Sequence, residues 1–126
     1  MNGTGRALLF KDADVPEGQR HDAGPGETVI FSVRSPDKTG SNEDAAGIIR
    51  LDERTSVLMV ADGVGGLPAG SQASAFLVDT IEAACKKSIR EETELRDAIL
   101  SGIEEANRSI LESANGSATT LAAVEI

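Results

Sequence analysis

The chain has no tryptophan and no tyrosine, and only three phenylalanines, one cysteine and one histidine among 126 residues. Without an aromatic platform it lacks the usual surface for stacking bases or sugars. A single thiol, Cys85, excludes an internal disulfide and agrees with a reducing compartment. No second histidine or paired cysteine accompanies His21, so zinc is not expected, and this imidazole is read as a solvated side chain without a role. Basic residues are also scarce: twelve Lys and Arg stand against twenty-one Asp and Glu, a net charge of -9. With no basic cluster to replace phosphate counterions, nucleic acid is not an expected partner. Any phosphate site is expected to rest on a bound cation for its positive charge. No apolar run is long enough to cross a bilayer, and Ala7 to Phe10 is too short for a signal-peptide core. The expectation is a cytoplasmic protein with no membrane partner.

What is present suffices for one domain with a core of its own. Residues 1–28 hold five glycines, two prolines and scattered charges, and are expected to form a flexible arm in which only Ala7 to Phe10 could pair. Thr28 to Arg34 is rich in β-branched residues and predicts the first strand, ended by Pro36. Residues 45–51 and 56–61 read as a hairpin about the polar turn Asp52 to Thr55, with Leu51 opposite Ser56, Ala45 opposite Asp62 and Asp44 opposite Gly63. From Gly70, with Ser71 as cap, the stripe Ala73, Phe76, Leu77, Ile81, Ala84, Cys85 and Ile89 predicts a helix, and places Cys85 in the core as an inert thiol. A second helix starts at Thr93, follows Leu95, Ile99, Ile103, Ala106 and Ile110, and stops at Asn115-Gly116. Ser117 to Ile126 then reads as a strand.

The chemistry gathers around residues 57–66. Five apolar residues, Val57 to Ala61, lead to Asp62 at a strand exit, followed by Gly63, Gly65 and Gly66, whose missing Cβ atoms allow close approach to an ion or phosphate. The hairpin would bring Glu43 and Asp44 beside Asp62, with cross-strand Cβ atoms roughly 5 Å apart. Three crowded carboxylates repel and raise a pKa unless a cation joins them, and oxygen-only ligands favour Mg²⁺ or Mn²⁺. The alternative for Glu43 and Asp44 is an ordinary solvated turn.

Four blocks in order, Asn42-Glu43-Asp44-Ala45, Val60 to Gly66 with Gly70 and Ala73-Ser74, Ala106-Asn107, and Ser117-Ala118-Thr119-Thr120-Leu121, resemble the amino-terminal half of the PPM (type 2C) metal-dependent protein serine/threonine phosphatases. The resemblance covers residues 29–126. It implies an α+β fold, a four-layer αββα sandwich of which this chain supplies the amino-terminal half as antiparallel strands plus one helix pair. It implies hydrolysis of phosphoserine and phosphothreonine in protein substrates by a hydroxide bridging two Mg²⁺ or Mn²⁺ ions. Asp62 would bridge the ions, Glu43 and the Gly63 carbonyl would hold one of them, and Asp44 would orient bound water.

The chain departs from that pattern at three places. Most relatives carry a phosphate-binding arginine in the loop before Asn42; here Lys38 is the nearest replacement and Arg34 the second choice, and a lysine offers a point charge in place of a planar fork. Val64 occupies the place where some relatives have a histidine that protonates the leaving group. Two aspartates that complete the metal pair belong to the family's second half, so the expectation is a truncated chain, weakly active or inactive alone, able to self-associate or to pair with the missing carboxy-terminal half. A non-catalytic phosphoprotein-binding module remains the main alternative, and a nucleotide-binding α/β module the lesser one.

Overall fold

The computed structural model describes residues 5–66 and 68–126. The four residues at the start of the expected arm lie outside that range. The strands are β1 (Arg6–Lys11), β2 (Val15–Asp22), β3 (Glu27–Ser32), β4 (Asp44–Arg50) and β5 (Ser56–Val64), followed by helices α1 (Ala69–Glu91) and α2 (Leu95–Ser113) and short strands β6 (Ala118–Thr119) and β7 (Ala122–Glu125). The chain is thus α+β with antiparallel pairing throughout. The main sheet runs β1-β4-β5, and β5 pairs along its outer edge with β6 and then β7; β2 and β3 form a separate two-stranded sheet.

Alternation sorts the main sheet into two faces. Ala45 and Ile49 of β4, with Val57, Met59 and Ala61 of β5, turn toward α1 and pack with Leu77, Val78, Ile81 and Cys85 into the core. The α2 helix packs on α1, burying Gly102 and Ala106. The opposite face carries Asp44, Ala46, Ile48 and Arg50 of β4 and Leu58, Val60 and Asp62 of β5. The β2–β3 hairpin lies over part of it, leaving hollows lined by Thr28 to Val33 on one side and β4, β5 and β7 on the other.

Several expectations require correction. The segment expected to be a flexible arm carries two strands: β1 covers Ala7 to Phe10, the stretch expected to be able to pair, whereas β2 is at odds with a flexible arm. The glycines there serve turns and a bulge: Gly18 (φ 77°) sits at a register shift in β2, and Gly24 (φ 80°) at the β2–β3 turn, where the Ser56 hydroxyl donates to the Ala23 carbonyl at 2.7 Å. The central hairpin is shifted by one residue from the expected register, with Arg50 opposite Ser56 and Asp44 opposite Asp62. The loop has five residues because Leu51 curls into the core and Asp52 Oδ1 accepts from the N–H groups of both Arg54 and Thr55 at 2.7 Å. Neither helix is capped by the expected hydroxyl: the N-caps are Pro68 and Glu94, and the Ser71 hydroxyl donates backwards to the Pro68 carbonyl. Phe76 and Ile89, expected on the α1 core stripe, are exposed, with Val78 in the core in their stead. The final strand is interrupted at Thr120-Leu121.

Candidate functional site

Asn42 sets the site's geometry. It is buried, and its side chain is fully engaged: Oδ1 accepts from the Asp44 N–H at 3.0 Å, while Nδ2 donates to the Ala13 carbonyl at 2.9 Å and the Ser32 hydroxyl at 3.0 Å. Its own N–H donates to Asp12 Oδ1 at 2.7 Å. The start of β4 is therefore pinned to the β1–β2 connection and the end of β3. Beside it the Glu43 carbonyl accepts from the Gly63 N–H at 3.0 Å and from the Ser74 hydroxyl at 2.7 Å, joining β4, β5 and α1. On the other side of β5, Thr120 brackets Asp62: its N–H donates to the Asp62 carbonyl at 2.9 Å, and its Oγ1 accepts from the Asp62 N–H at 3.1 Å.

This framework holds Asp44 and Asp62 as a directly opposed cross-strand pair on the face away from the helices. Both line an open hollow of about 430 Å³ with Phe31, Ser32 and Val33 of the hairpin and Thr120 and Leu121. Partial burial, the Asp62 charge and a hydrogen bond shared with Asp62 push the Asp44 carboxyl above its ordinary value; Glu43 adds to the rise and Lys38 opposes it. Glu43 itself turns under the first turn of α1, against Gly70, where the helix's free N–H groups favour negative charge. Its Oε2 lies 3.3 Å from the ammonium of Lys38. Arg34 stays in its own loop, donating to the Gly40 carbonyl at 2.8 Å.

The glycine turn is used differently from the expectation of an open cradle. A Cβ on Gly63 would lie 1.9 Å from the Gly70 carbonyl oxygen, and one on Gly65 would lie 2.8 Å from the Ser117 Cα. Both glycines are needed so that the protein's own backbone can approach. Val64 pairs with Ala118 of β6, on the exposed side of the strand.

The donors fit a hard divalent cation in kind: they are oxygens, and two like charges are held side by side with Lys38 the one opposing charge among the described residues. In number they fall short, since no three His, Cys, Asp or Glu side chains converge to hold a metal among the described residues. Of the residues singled out from sequence, Asp44 and Asp62 meet directly, Glu43 and Lys38 meet each other beside them, and Arg34 stands apart. Asn42, Ser74 and Thr120, which position these groups, fell within the recognised blocks but had no assigned task.

The family model described as protein phosphatase 2C matches residues 37–125, from the loop bearing Lys38 to the end of β7. Strands β1–β3 precede the matched region. No curated protein and no solved structure gives a significant match to the chain.

Proposed function

The chain belongs to the protein phosphatase 2C family, and from that premise we propose that it acts on phosphoserine and phosphothreonine in protein substrates with the help of Mg²⁺ or Mn²⁺. The observation that carries this reading is the Asp44–Asp62 pair at the mouth of the β4–β5 hairpin, a like-charge opposition that a divalent cation would turn into an attraction. Asp62, Glu43 and the carbonyl of Gly63 would hold the cation, and Asp44 would orient a water molecule beside it. When bound, such a cation polarises the phosphoryl oxygens and makes water a better nucleophile near neutral pH. Lys38 would meet the substrate phosphate as a point charge, leaving Glu43 as it does so. Asn42, Ser74 and Thr120 keep the carboxylates in place through the backbone.

With no third acidic side chain converging on the pair among the described residues, the cation would be held weakly and turnover by this chain alone would be slow. The same shortage favours one competing reading, a module that binds phosphoprotein without hydrolysing it. Mn²⁺-dependent hydrolysis of an aryl phosphate and a phosphothreonine peptide, with Asp62→Asn as control, separates the two. Turnover that requires Mn²⁺ and disappears in the variant supports the enzyme. Phosphopeptide binding with no turnover supports the module.

A further inference from the structure

At the far end of β4 the same sheet face carries the opposite charge arrangement. Arg6 of β1 stands directly across from Arg50 of β4. Like charges at paired strand positions oppose each other at Cβ separations of roughly 5 Å. Among the described residues Asp22 of β2 pairs with Arg50 alone: its Oδ2 accepts from Arg50 Nη1, while its Oδ1 accepts from the Gly24 N–H at 3.0 Å. The Nε–H of Arg50 is buried and has no partner among the described residues. An orphaned buried donor is unfavourable, the more so when it is charged. Arg6, Asp22, Arg50 and His21 line one hollow of about 300 Å³, walled by Leu8 and Ile48.

We propose that this hollow binds a phosphate group. Arg50, whose Nη1 is taken by Asp22, supplies the planar guanidinium that suits a tetrahedral oxyanion. Arg6 supplies the second positive charge, and His21, whose Nε2 is paired with Gln19 Oε1 at 3.2 Å, is a further polar wall. With two guanidinium groups against one carboxylate, the hollow is electropositive on a chain of net charge -9. A simple carboxylate is the poorer match, because Asp22 already takes one side of Arg50 and what remains unpaired calls for oxygens in several directions. The site lies about 20 Å along β4 from Asp44, six residue steps at strand spacing. It needs no cation, contrary to the expectation that any phosphate site here must rest on metal. It is built from β1, β2 and β4, so it depends on strands that precede the family match, and it stands whether or not the carboxylate pair is catalytic.

The test uses the full chain in EDTA, so that no divalent cation contributes, followed by amide NMR during titration with inorganic phosphate, a phosphoserine peptide and its unphosphorylated form, against potassium chloride of matched ionic strength. Saturable shifts at His21, Asp22, Arg6 and Arg50 with either phosphate source, and none with chloride or the plain peptide, are expected. Tighter binding of inorganic phosphate identifies a free-anion site, and tighter binding of the phosphopeptide a docking site for phosphorylated protein. Arg50→Lys, which keeps the charge and loses the fork, weakens binding about tenfold or more, the factor for one lost charge-assisted bond. Arg6→Gln weakens it as well and serves if Arg50→Lys disturbs the fold. Shifts that never saturate, that chloride reproduces, or that persist unchanged in Arg6→Gln overturn the proposal.

Discussion

Replacing Asp62 with asparagine is expected to stabilise the metal-free protein while abolishing its response to manganese. Asp62 faces Asp44 across the β4–β5 pair, and like charges at such positions cost roughly 0.2–1 kcal/mol. Both side chains are exposed, so solvent screening places the gain near the middle of that range, about 0.5 kcal/mol, or roughly 2 °C in Tm for a chain of this size. The pH dependence has a definite sign. Asp44 is raised above 3.8, so the folded state takes up its proton more readily than the unfolded chain. The wild type therefore gains stability as pH falls through the folded Asp44 value toward 3.8, and its deficit against the variant closes. In Asp62→Asn the neighbouring charge is gone and the acid-side gain shrinks. Manganese reverses the order: at ten times its Kd a cation bound only to the folded state adds about 1.4 kcal/mol to the wild type and little to the variant. Circular-dichroism melts in EDTA and in MnCl₂, across a pH series, measure both effects. The reasoning fails if Asp62→Asn and Asp44→Asn each lower Tm in EDTA, or if manganese shifts wild type and variant alike.

Gly63→Ala would drive a methyl group to 1.9 Å from the Gly70 carbonyl, a backbone atom that cannot swing aside, so a loss of about 3 kcal/mol, the upper end for overpacking, is expected in urea unfolding. A variant of unchanged midpoint would mean that α1 does not sit against the Asp-Gly turn. Asn42→Ala strands the Asp44 N–H, the Ala13 carbonyl and the Ser32 hydroxyl; a loss of roughly 2–3 kcal/mol should accompany weaker manganese binding in calorimetry. Burial, then the charges of Glu125 and Glu82, pushes the Cys85 thiol up to about 11. A disulfide reagent at pH about 8 should leave the native thiol intact and label it on unfolding. Because the folded value lies above the unfolded one, this thiol's contribution is complete below about 8.5 and is lost as pH rises toward 11, which melts at alkaline pH will show as falling stability.

The elements legible in the sequence are those whose residues meet one environment along their length. The central hairpin and both helices have continuous apolar runs or stripes, and the Asn-Glu-Asp and Asp-Gly blocks mark the two chain segments that meet at the site. The register was harder, because it turned on whether Leu51 belonged to the strand or to the loop, and Asp52 decided that by capping two backbone N–H groups. Strand β2, Val15–Asp22, shows no alternation because most of its side chains are exposed on both sides, so composition alone suggested mobility. Phe76 and Ile89 fell one position off the buried stripe of α1, a distinction that depends on where α2 crosses. The arginine pair is invisible in sequence, since Arg6 and Arg50 lie far apart in the chain and only the β1–β4 register makes them neighbours.

The face of the main sheet away from the helices leaves Val60 and Val124, with Val29 and Phe31 of the hairpin, each more than half exposed. Environment-sensitive dyes commonly used to follow melting will therefore bind the folded protein, giving a high starting signal that elsewhere would be taken for a loosened, molten state. Intrinsic fluorescence offers no substitute, because the chain lacks both tryptophan and tyrosine. Thermal work on this protein should rely on ellipticity or heat capacity, and a bright dye baseline should be interpreted as uncovered sheet.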